Sequence, residues 1–236
     1  MEKQEKIVSM FNDIAGTYDV ANRVLSMGID KSWRNKACNL AFNFYGKNSI
    51  EKIVDVACGT GDMILFWKKV ANENSINLEN IVGVDPSVGM MEVGKKKLPD
   101  VEFIEAGAAS MPLDSSSADI ISISYGIRNV VQRQEAFDEF ARVLKKDGLV
   151  VISEFTKNKK EKLLDHLTDF YMNKILPILG GLISKNKEAY TYLPNSIDEF
   201  LTTENLCKEL KNAGLEPIHV KAFSMNISTL IIARKI

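Results

Sequence analysis

Ile53-Val54-Asp55-Val56-Ala57-Cys58-Gly59-Thr60-Gly61-Asp62 is the stretch from which the rest of the chain can be read. Its apolar start, rich in β-branched residues, has the pattern of a buried strand. Two glycines one residue apart end it, and a helical pattern from Met63 to Val70 follows. Glycine has no Cβ, so such a turn lets a ligand come against bare backbone.

The same grammar repeats outward from this turn. Ile81 to Asp85 reads as a second strand, Val101 to Glu105 as a third, Ala118 to Ser124 as a fourth and Leu149 to Phe155 as a fifth. Val88 to Lys97 and Gln132 to Leu144 read as the helices between them, with Pro86 suited to the first turn of the former. Asn72 to Asn80 reads as a polar loop, and Lys145-Lys146-Asp147-Gly148 as a cationic, glycine-ended helix terminus. Strands alternating with helices predict a mostly parallel sheet covered on both faces, with ligands bound beyond the carboxyl ends of the strands. Gly59–Gly61, Asp85, Gly107-Ala108 and Ser124–Asn129 all fall at such ends.

Flanking segments complete the plan. Residues 1–46 predict an N-terminal helical cap, broken at Gly28; residues 47–236 predict the ligand-binding domain, with a lid insertion around 160–200. Leu163 to Ile183 reads as an amphipathic helix, bent at Pro177 and Gly180-Gly181. Four lysines precede it, so it suits either a lid packed on the sheet or a membrane surface. Ala189 to Pro194 reads as a loop, Thr203 to Ala213 as a last helix ended by Gly214, and Pro217–Phe223 and Ile227–Ala233 as a hairpin. The expected fold is therefore α/β and Rossmann-like: a mostly parallel, seven-stranded sheet with a C-terminal antiparallel hairpin.

Composition excludes some classes of function. Thirty basic residues face thirty-one acidic ones, which gives no electrostatic case for nucleic acid. Cys38, Cys58 and Cys207 are scattered and odd in number, so neither a disulfide framework nor a metal spacing is expected, and a cytoplasmic location is the default. Met1 to Lys6 lacks the apolar core of a signal peptide, and no uncharged run approaches the ~20 residues of a membrane span. His166 and His219 read as a helix position and a strand position, and Cys58 as a packing residue.

Two cofactors fit the glycine turn. Asp85, 24 residues after Gly61, is placed as an acceptor for ribose hydroxyls. A dinucleotide site adds a third glycine where the pyrophosphate meets the helix, and here that position is Ile64. Asp62 at the helix start would repel a pyrophosphate and suits a ligand carrying an ammonium group. S-adenosyl-L-methionine has a ribose, an adenine and an ammonium, and no phosphate. A tight turn without a ligand is the plain alternative.

Three blocks then narrow the choice. Phe11-x-x-Ile14-Ala15-x-x-Tyr18-Asp19-x-x-Asn22-x-x-Leu25-Ser26-x-Gly28-x-x-x-x-Trp33-Arg34, Asp55-Val56-Ala57-x-Gly59-Thr60-Gly61-Asp62 and Tyr125-Gly126-Ile127-Arg128-Asn129-Val130 together resemble the quinone C-methyltransferases of ubiquinone and menaquinone biosynthesis. These are class I S-adenosylmethionine-dependent methyltransferases. The resemblance continues through Arg142 to Lys145, Glu154-Phe155, Leu176-Pro177 and Tyr190 to Pro194. It implies C-methylation of a prenylated quinol, most simply demethylmenaquinol. A methyltransferase acting on a soluble small molecule, or a nonenzymatic subunit of a quinone-biosynthesis complex, would carry the same fold.

The resemblance also implies roles. Thr60 and the neighbouring Gly59 and Gly61 would hold the methionine end of the cofactor, Asp85 the ribose hydroxyls, and Asp55 and Pro86 would be further cofactor-binding positions. Gly107 and Ala108 would border the adenine, and Ser124 would lie near the cofactor. Arg128 and Asn129 would face the quinol, with Tyr18, Asp30 or Glu154 as candidate bases. Arg128 would stabilise the phenolate that makes a quinol carbon nucleophilic; the competing reading is a structural ion pair at a strand end. Where the family usually has Asp or Asn, this chain has Gly107, so adenine would be read by backbone groups. Where the family usually has His, it has Asp30. The expected partners are a prenylated quinol and, peripherally, a membrane surface, with a homodimer among the assemblies open to it.

Overall fold

The structure, a computed structural model, describes residues 2–157, 178, 180–181, 186–224 and 226–236. Its centre is one seven-stranded sheet in the order β3-β2-β1-β4-β5-β7-β6. The strands are β1 (Ser49–Val56), β2 (Asn77–Asp85), β3 (Glu102–Glu105), β4 (Ala118–Ser124), β5 (Leu144–Glu154), β6 (Leu215–Phe223) and β7 (Ser228–Lys235). β1 to β5 run parallel, while β7 is antiparallel to both β5 and β6. The expected topology and C-terminal hairpin are present.

The central strands are buried on both faces, which is why they read as continuous apolar runs. Ile53 lies opposite Ile120, and Val54 opposite Ile121, so odd and even positions of β1 feed different cores. On one face Ile53, Ile120 and Leu149 pack with Trp67 of α4 (Asp62–Glu73) and Ala37, Cys38 and Phe42 of α3 (Ile29–Tyr45). On the other, Val54, Val56, Ile121 and Ile123 pack with Phe137 and Phe140 of α6 (Arg133–Val143). Trp67 is fully buried, and its indole N–H donates to Ser122 Oγ at 2.9 Å.

Before β1 the chain forms three helices: α1 (Lys3–Ile14), α2 (Tyr18–Leu25) and α3. Gly28 breaks the chain as expected, in the left-handed conformation at φ 75°. A second break falls at Ala15–Thr17. α5 (Val88–Lys97) starts from Ser87, whose side chain accepts from Met90 N–H.

Three local expectations are overturned. Asn77 to Asn80, expected in a loop, belong to β2 and pair with Ser49 to Lys52. Asn77, Glu79 and Asn80 are exposed and held by the backbone ladder, while Leu78 packs against the core. Lys145 to Gly148 do not end a helix. α6 stops at Val143 and the chain enters β5 at once, with a register shift against β4 and Asp147 at φ 64°. Gly148 is needed there because a Cβ would meet Lys145 O at 2.9 Å and Asp119 O at 3.0 Å. Ala189 to Pro194, expected as a loop, lie in α7 (Lys187–Asp198) despite Pro194. Burial of Ala189 and Tyr190 against Ile14, Ala21 and Leu25 holds that helix. α8 (Thr203–Asn212) precedes the hairpin as expected. Of the expected helix at 163–183 only residues 178, 180 and 181 are described, and those three are helical; the membrane contact assigned to it and His166 lie outside the described residues. No helix among the described residues is long and apolar enough to cross a membrane.

Candidate active site

The site lies at the carboxyl ends of β1, β2 and β4. Two of these turns carry non-glycine residues in the left-handed region: Ala57 at φ 49° and Tyr125 at φ 60°. Such conformations cost of order 1–3 kcal/mol and persist where the surroundings enforce them. Here the two turns press together, for a Cβ on Gly126 would stand 2.6 Å from Ala57 Cβ. Gly61 opens α4 at φ 79°, where a Cβ would lie 2.7 Å from Leu98 Cδ1. The glycine turn is therefore fixed by packing as well as by backbone angle.

One cavity takes in most of the expected residues. Tyr18, Asp55, Gly59, Thr60, Asp85, Pro86, Gly107, Ala108, Ser124 and Asn129 all line it. α1 roofs it with Ile7, Val8 and Phe11. That roof is pinned at both ends: Val131 N–H donates to Gln4 Oε1 at 3.0 Å, and Ser87 Oγ and Gly89 N–H both donate to Asn12 Oδ1 at 2.8 Å.

The two buried carboxylates differ in their partners. Asp85 receives Gly59 N–H on one oxygen and Ser87 N–H on the other, each at 2.8 Å. It ties the β1 turn to the β2 turn, and both oxygens keep lone pairs for further donors. Burial raises its pKa to about 6, against the pull of those two N–H groups. Asp55 receives Ser122 Oγ at 2.6 Å, while its Oδ2 is buried without a partner. Burial raises its pKa to about 7, opposed by the Ser122 hydrogen bond and by Arg34. Ser124 Oγ is likewise buried and unpartnered. At Gly107 a Cβ would meet nothing within 4 Å, so the β3 end of the cavity has room to spare.

The polar residues of the N-terminal block have a definite task. Thr60 Oγ1 donates to Asp19 at 2.5 Å. Lys97 Nζ donates to Asp19 at 2.6 Å and to Asp62 at 2.8 Å. Arg23 bridges Asp62 and Asp30, and Ser26 Oγ donates to Asp30 at 2.7 Å. This network fastens α2 and α3 to the glycine turn. Burial alone would raise the pKa of Asp62, but the Lys97 hydrogen bond and the charges of Arg34, Lys97 and Arg23 hold it below the usual carboxylate range.

Three expected residues stand elsewhere. Gly61 shapes the turn without lining the cavity. Asp30, a candidate base, is buried among Arg23, Ser26 and Arg34, away from the cavity lining. Arg128, expected to face the quinol, is also outside the lining. Its guanidinium donates to Glu154 Oε1 and Tyr125 O, each at 2.6 Å, and to Ser196 Oγ at 3.3 Å. Glu154 Oε2 accepts the backbone N–H of Arg128 at 3.2 Å, so both members are committed to each other at the ends of β4 and β5. The ion-pair reading, weighed for Arg128 from the sequence, matches this arrangement. The pair braces the 3-10 turn Ile127–Asn129, which presents Asn129 to the cavity, where Asn129 Oδ1 accepts from Tyr192 Oη at 3.0 Å.

Arg34 and Tyr125 are among the lining residues that received no role from sequence. Arg34 lies on α3, one turn after Asp30, inside the matched Trp33-Arg34 pair that could have drawn notice to it. The Tyr125 ring lies under Arg34 and beside Phe155, its hydroxyl shares a hydrogen bond with Ser228 Oγ at 3.0 Å, and burial raises its pKa to about 12. Burial also pushes the Cys58 thiol well up, as befits a packing residue.

Comparison with known proteins agrees with this geometry. The sequence model of the ubiE/COQ5 methyltransferase family matches residues 1–235. The chain is 57% identical to the ubiquinone/menaquinone biosynthesis C-methyltransferase UbiE of Campylobacter jejuni, over 100% of both chains. It is 35% identical to the demethylmenaquinone methyltransferase of Chlorobaculum tepidum, over 99% of this chain and 94% of the relative. Among solved structures, a SAM-dependent methyltransferase of Thermotoga maritima, described as a possible histamine N-methyltransferase, superposes with a TM-score of 0.65 at 18% identity. It covers 98% of this chain and 100% of its own, and shows a shared fold.

Proposed function

The chain belongs to the ubiE/COQ5 methyltransferase family, and from that premise we propose that it moves a methyl group from S-adenosylmethionine to a ring carbon of demethylmenaquinol. The observation that carries this reading is the single cavity in which Asp55, Asp85, Gly107-Ala108 and Asn129 meet in sequence along the strand ends. Asp55 offers an unpartnered anionic oxygen to an ammonium. Asp85 offers lone pairs to vicinal hydroxyls. Gly107 and Ala108 leave a slot for a flat base. Tyr18 and Asn129 stand on the remaining side, available to the quinol.

When bound, the cofactor supplies an electrophilic methyl group on a sulfonium. The protein's share is alignment and charge. Well-oriented reactions gain effective molarities on the order of 10⁵ M or more. Asn129, with its oxygen engaged by Tyr192, keeps its amide N–H groups for a quinol oxygen. Of the three base candidates Tyr18 is the one that lines the cavity. Its hydroxyl would relay protons outward to solvent: first the quinol hydroxyl proton, which leaves the phenolate, and, once the methyl is bonded to the ring carbon, the hydrogen that this carbon loses. Arg128 and Glu154 act on the reaction by fixing Asn129.

The test is direct. Purified protein, methyl-labelled S-adenosylmethionine and demethylmenaquinol are incubated under reducing conditions, and the product is located by mass spectrometry. We expect label on the naphthoquinol ring. Label on a demethylated benzoquinol alone would move the substrate class, and none on either ring would refute the reading. Gly107 gives a second check. Gly107→Asn should bind S-adenosylhomocysteine roughly fivefold tighter, the worth of one neutral hydrogen bond of about 1 kcal/mol to the base. Calorimetry showing equal or weaker binding would mean the base lies elsewhere.

A further inference from the structure

Arg34 is a buried cation that closes the N-terminal motif but has no part in the proposed chemistry. The residue is 8% exposed and lines the cavity with Tyr18, Asp55, Thr60 and Asp62. Its Nε is buried without a hydrogen-bond partner. Asp30 Oδ2 lies 3.7 Å away, too far for a hydrogen bond, and Asp30 is already satisfied by Arg23 and Ser26. The guanidinium carbon sits 5.3 Å over the Tyr125 ring, which supports it from below without accepting a hydrogen bond. A buried guanidinium left unsatisfied is costly, because removing a charged donor from water is repaid only by a fitted acceptor. Asp30 gives Arg34 an ion pair at 3.7 Å, but among the described residues none accepts a hydrogen bond from its Nε.

Across the same cavity, Asp55 Oδ2 is the complementary orphan, an anionic oxygen lacking a donor. A guanidinium and a carboxyl that line one cavity, each with a hydrogen-bonding position left without a partner, would make a receptor for a zwitterion once the carboxyl is ionised. An α-amino acid is the plain chemical match: its ammonium answers the carboxylate and its carboxylate answers the guanidinium. Asp62 shares the cavity and the field of Arg34, but its carboxylate oxygens bond to Lys97 and Arg23 and give Arg34 no hydrogen bond.

We propose that Arg34 is the receptor for the α-carboxylate of the cofactor's methionine end, paired across the cavity with Asp55 for the ammonium. This rests on the S-adenosylmethionine reading and adds to it the group that discriminates the whole cofactor from its nucleoside part. Guanidinium suits the task, since its planar fork binds a carboxylate through two parallel N–H donors. An alternative anion in the same space is the phenolate of the quinol, and the experiment separates the two.

Binding of S-adenosylhomocysteine and of 5′-methylthioadenosine, which lacks the amino-acid end, is measured by calorimetry on the wild type, Arg34→Met and Arg34→Lys. Arg34→Met keeps the apolar stem, and a thermal melt confirms its fold. We expect Arg34→Met to lose on the order of 100-fold in affinity for S-adenosylhomocysteine, as for two charged hydrogen bonds. Methylthioadenosine binding should change by less than about threefold, and Arg34→Lys should recover part of the loss. Equal losses for both ligands would overturn the proposal in favour of a structural role. Unchanged S-adenosylhomocysteine binding, with turnover lost and its pH profile shifted, would overturn it in favour of the phenolate. Wild-type protein that binds neither ligand would bring down the cofactor reading itself, and Arg34's role with it.

Discussion

Glu154→Ala should lower the stability of the protein by about 3–5 kcal/mol, the cost of leaving a buried charge without its partner. Glu154 is fully buried, and the Arg128 side chain is only 6% exposed. Removing the carboxylate strands the guanidinium and also frees two backbone donors, Arg128 N–H and Phe155 N–H, which it accepts at 3.2 and 2.8 Å. Urea denaturation should show a lower midpoint at an unchanged slope. The double variant Arg128→Met with Glu154→Leu should recover much of the loss, because the apolar pair leaves no charge behind. A midpoint for Glu154→Ala equal to that of the wild type would mean that the pair is solvated. The largest effect around Arg128 is thus expected in stability, whereas the sequence pointed to turnover.

Asp85→Ala should abolish useful cofactor binding, with a loss on the order of 100-fold or more from two charged hydrogen bonds to ribose and two orphaned backbone donors. Gly59 N–H and Ser87 N–H would both lose their acceptor, so the β1 and β2 turns would part. pH gives an independent reading. Asp85 and Asp55 are raised by burial to about 6 and about 7, and both must be ionised to accept from ribose and ammonium. Affinity should therefore fall as pH drops from 8 to 5, with a limiting slope of about two protons in the wild type and about one in Asp85→Asn. Calorimetric binding that is flat across this range would show that neither carboxylate meets the ligand. The sign for folding is opposite. A carboxylate whose pKa rises on folding contributes stability that is complete below its unfolded value near 4 and is lost as pH climbs through the folded value. Above about pH 7 the ligand-free protein holds both charges at a cost that a bound ammonium and bound hydroxyls would relieve.

The fold was legible where burial dictates the residue types. β1 and β4 lie inside the sheet with both faces covered, so their apolar runs are unmistakable. The N-terminal half of β2 was hidden because Asn77 and Asn80 pair at the exposed edge of the core, where any side chain serves. α7 was hidden because Tyr190 and Ala189 are held by α1 and α2, which are far away in sequence. The cofactor side of the site was readable for a related reason: glycines and strand-end acids are demanded by local backbone, and they recur at fixed offsets. The substrate side was harder. Arg128 and Glu154 were both visible as polar groups at strand ends. That they spend themselves on each other follows from β4 and β5 being parallel neighbours that end in register, with Ser124 opposite Ser153. Asp30 and Arg34 sit at a spacing that invites an ion pair. Only the intrusion of Arg23 from α2 takes Asp30 away and leaves Arg34 for the cavity.

The helix laid across the cavity has a chemical consequence. α1 is fastened to both banks by side-chain amides, Gln4 on one and Asn12 on the other, while its underside is Ile7, Val8 and Phe11. A sulfonium methyl donor alkylates whatever nucleophile reaches it, and water is the most abundant one in the cell. An oily ceiling over the donor denies water a stable position there, which suppresses wasteful hydrolysis. Tyr18 and Asn129 line the same cavity and would be the polar groups available beside a bound methyl donor.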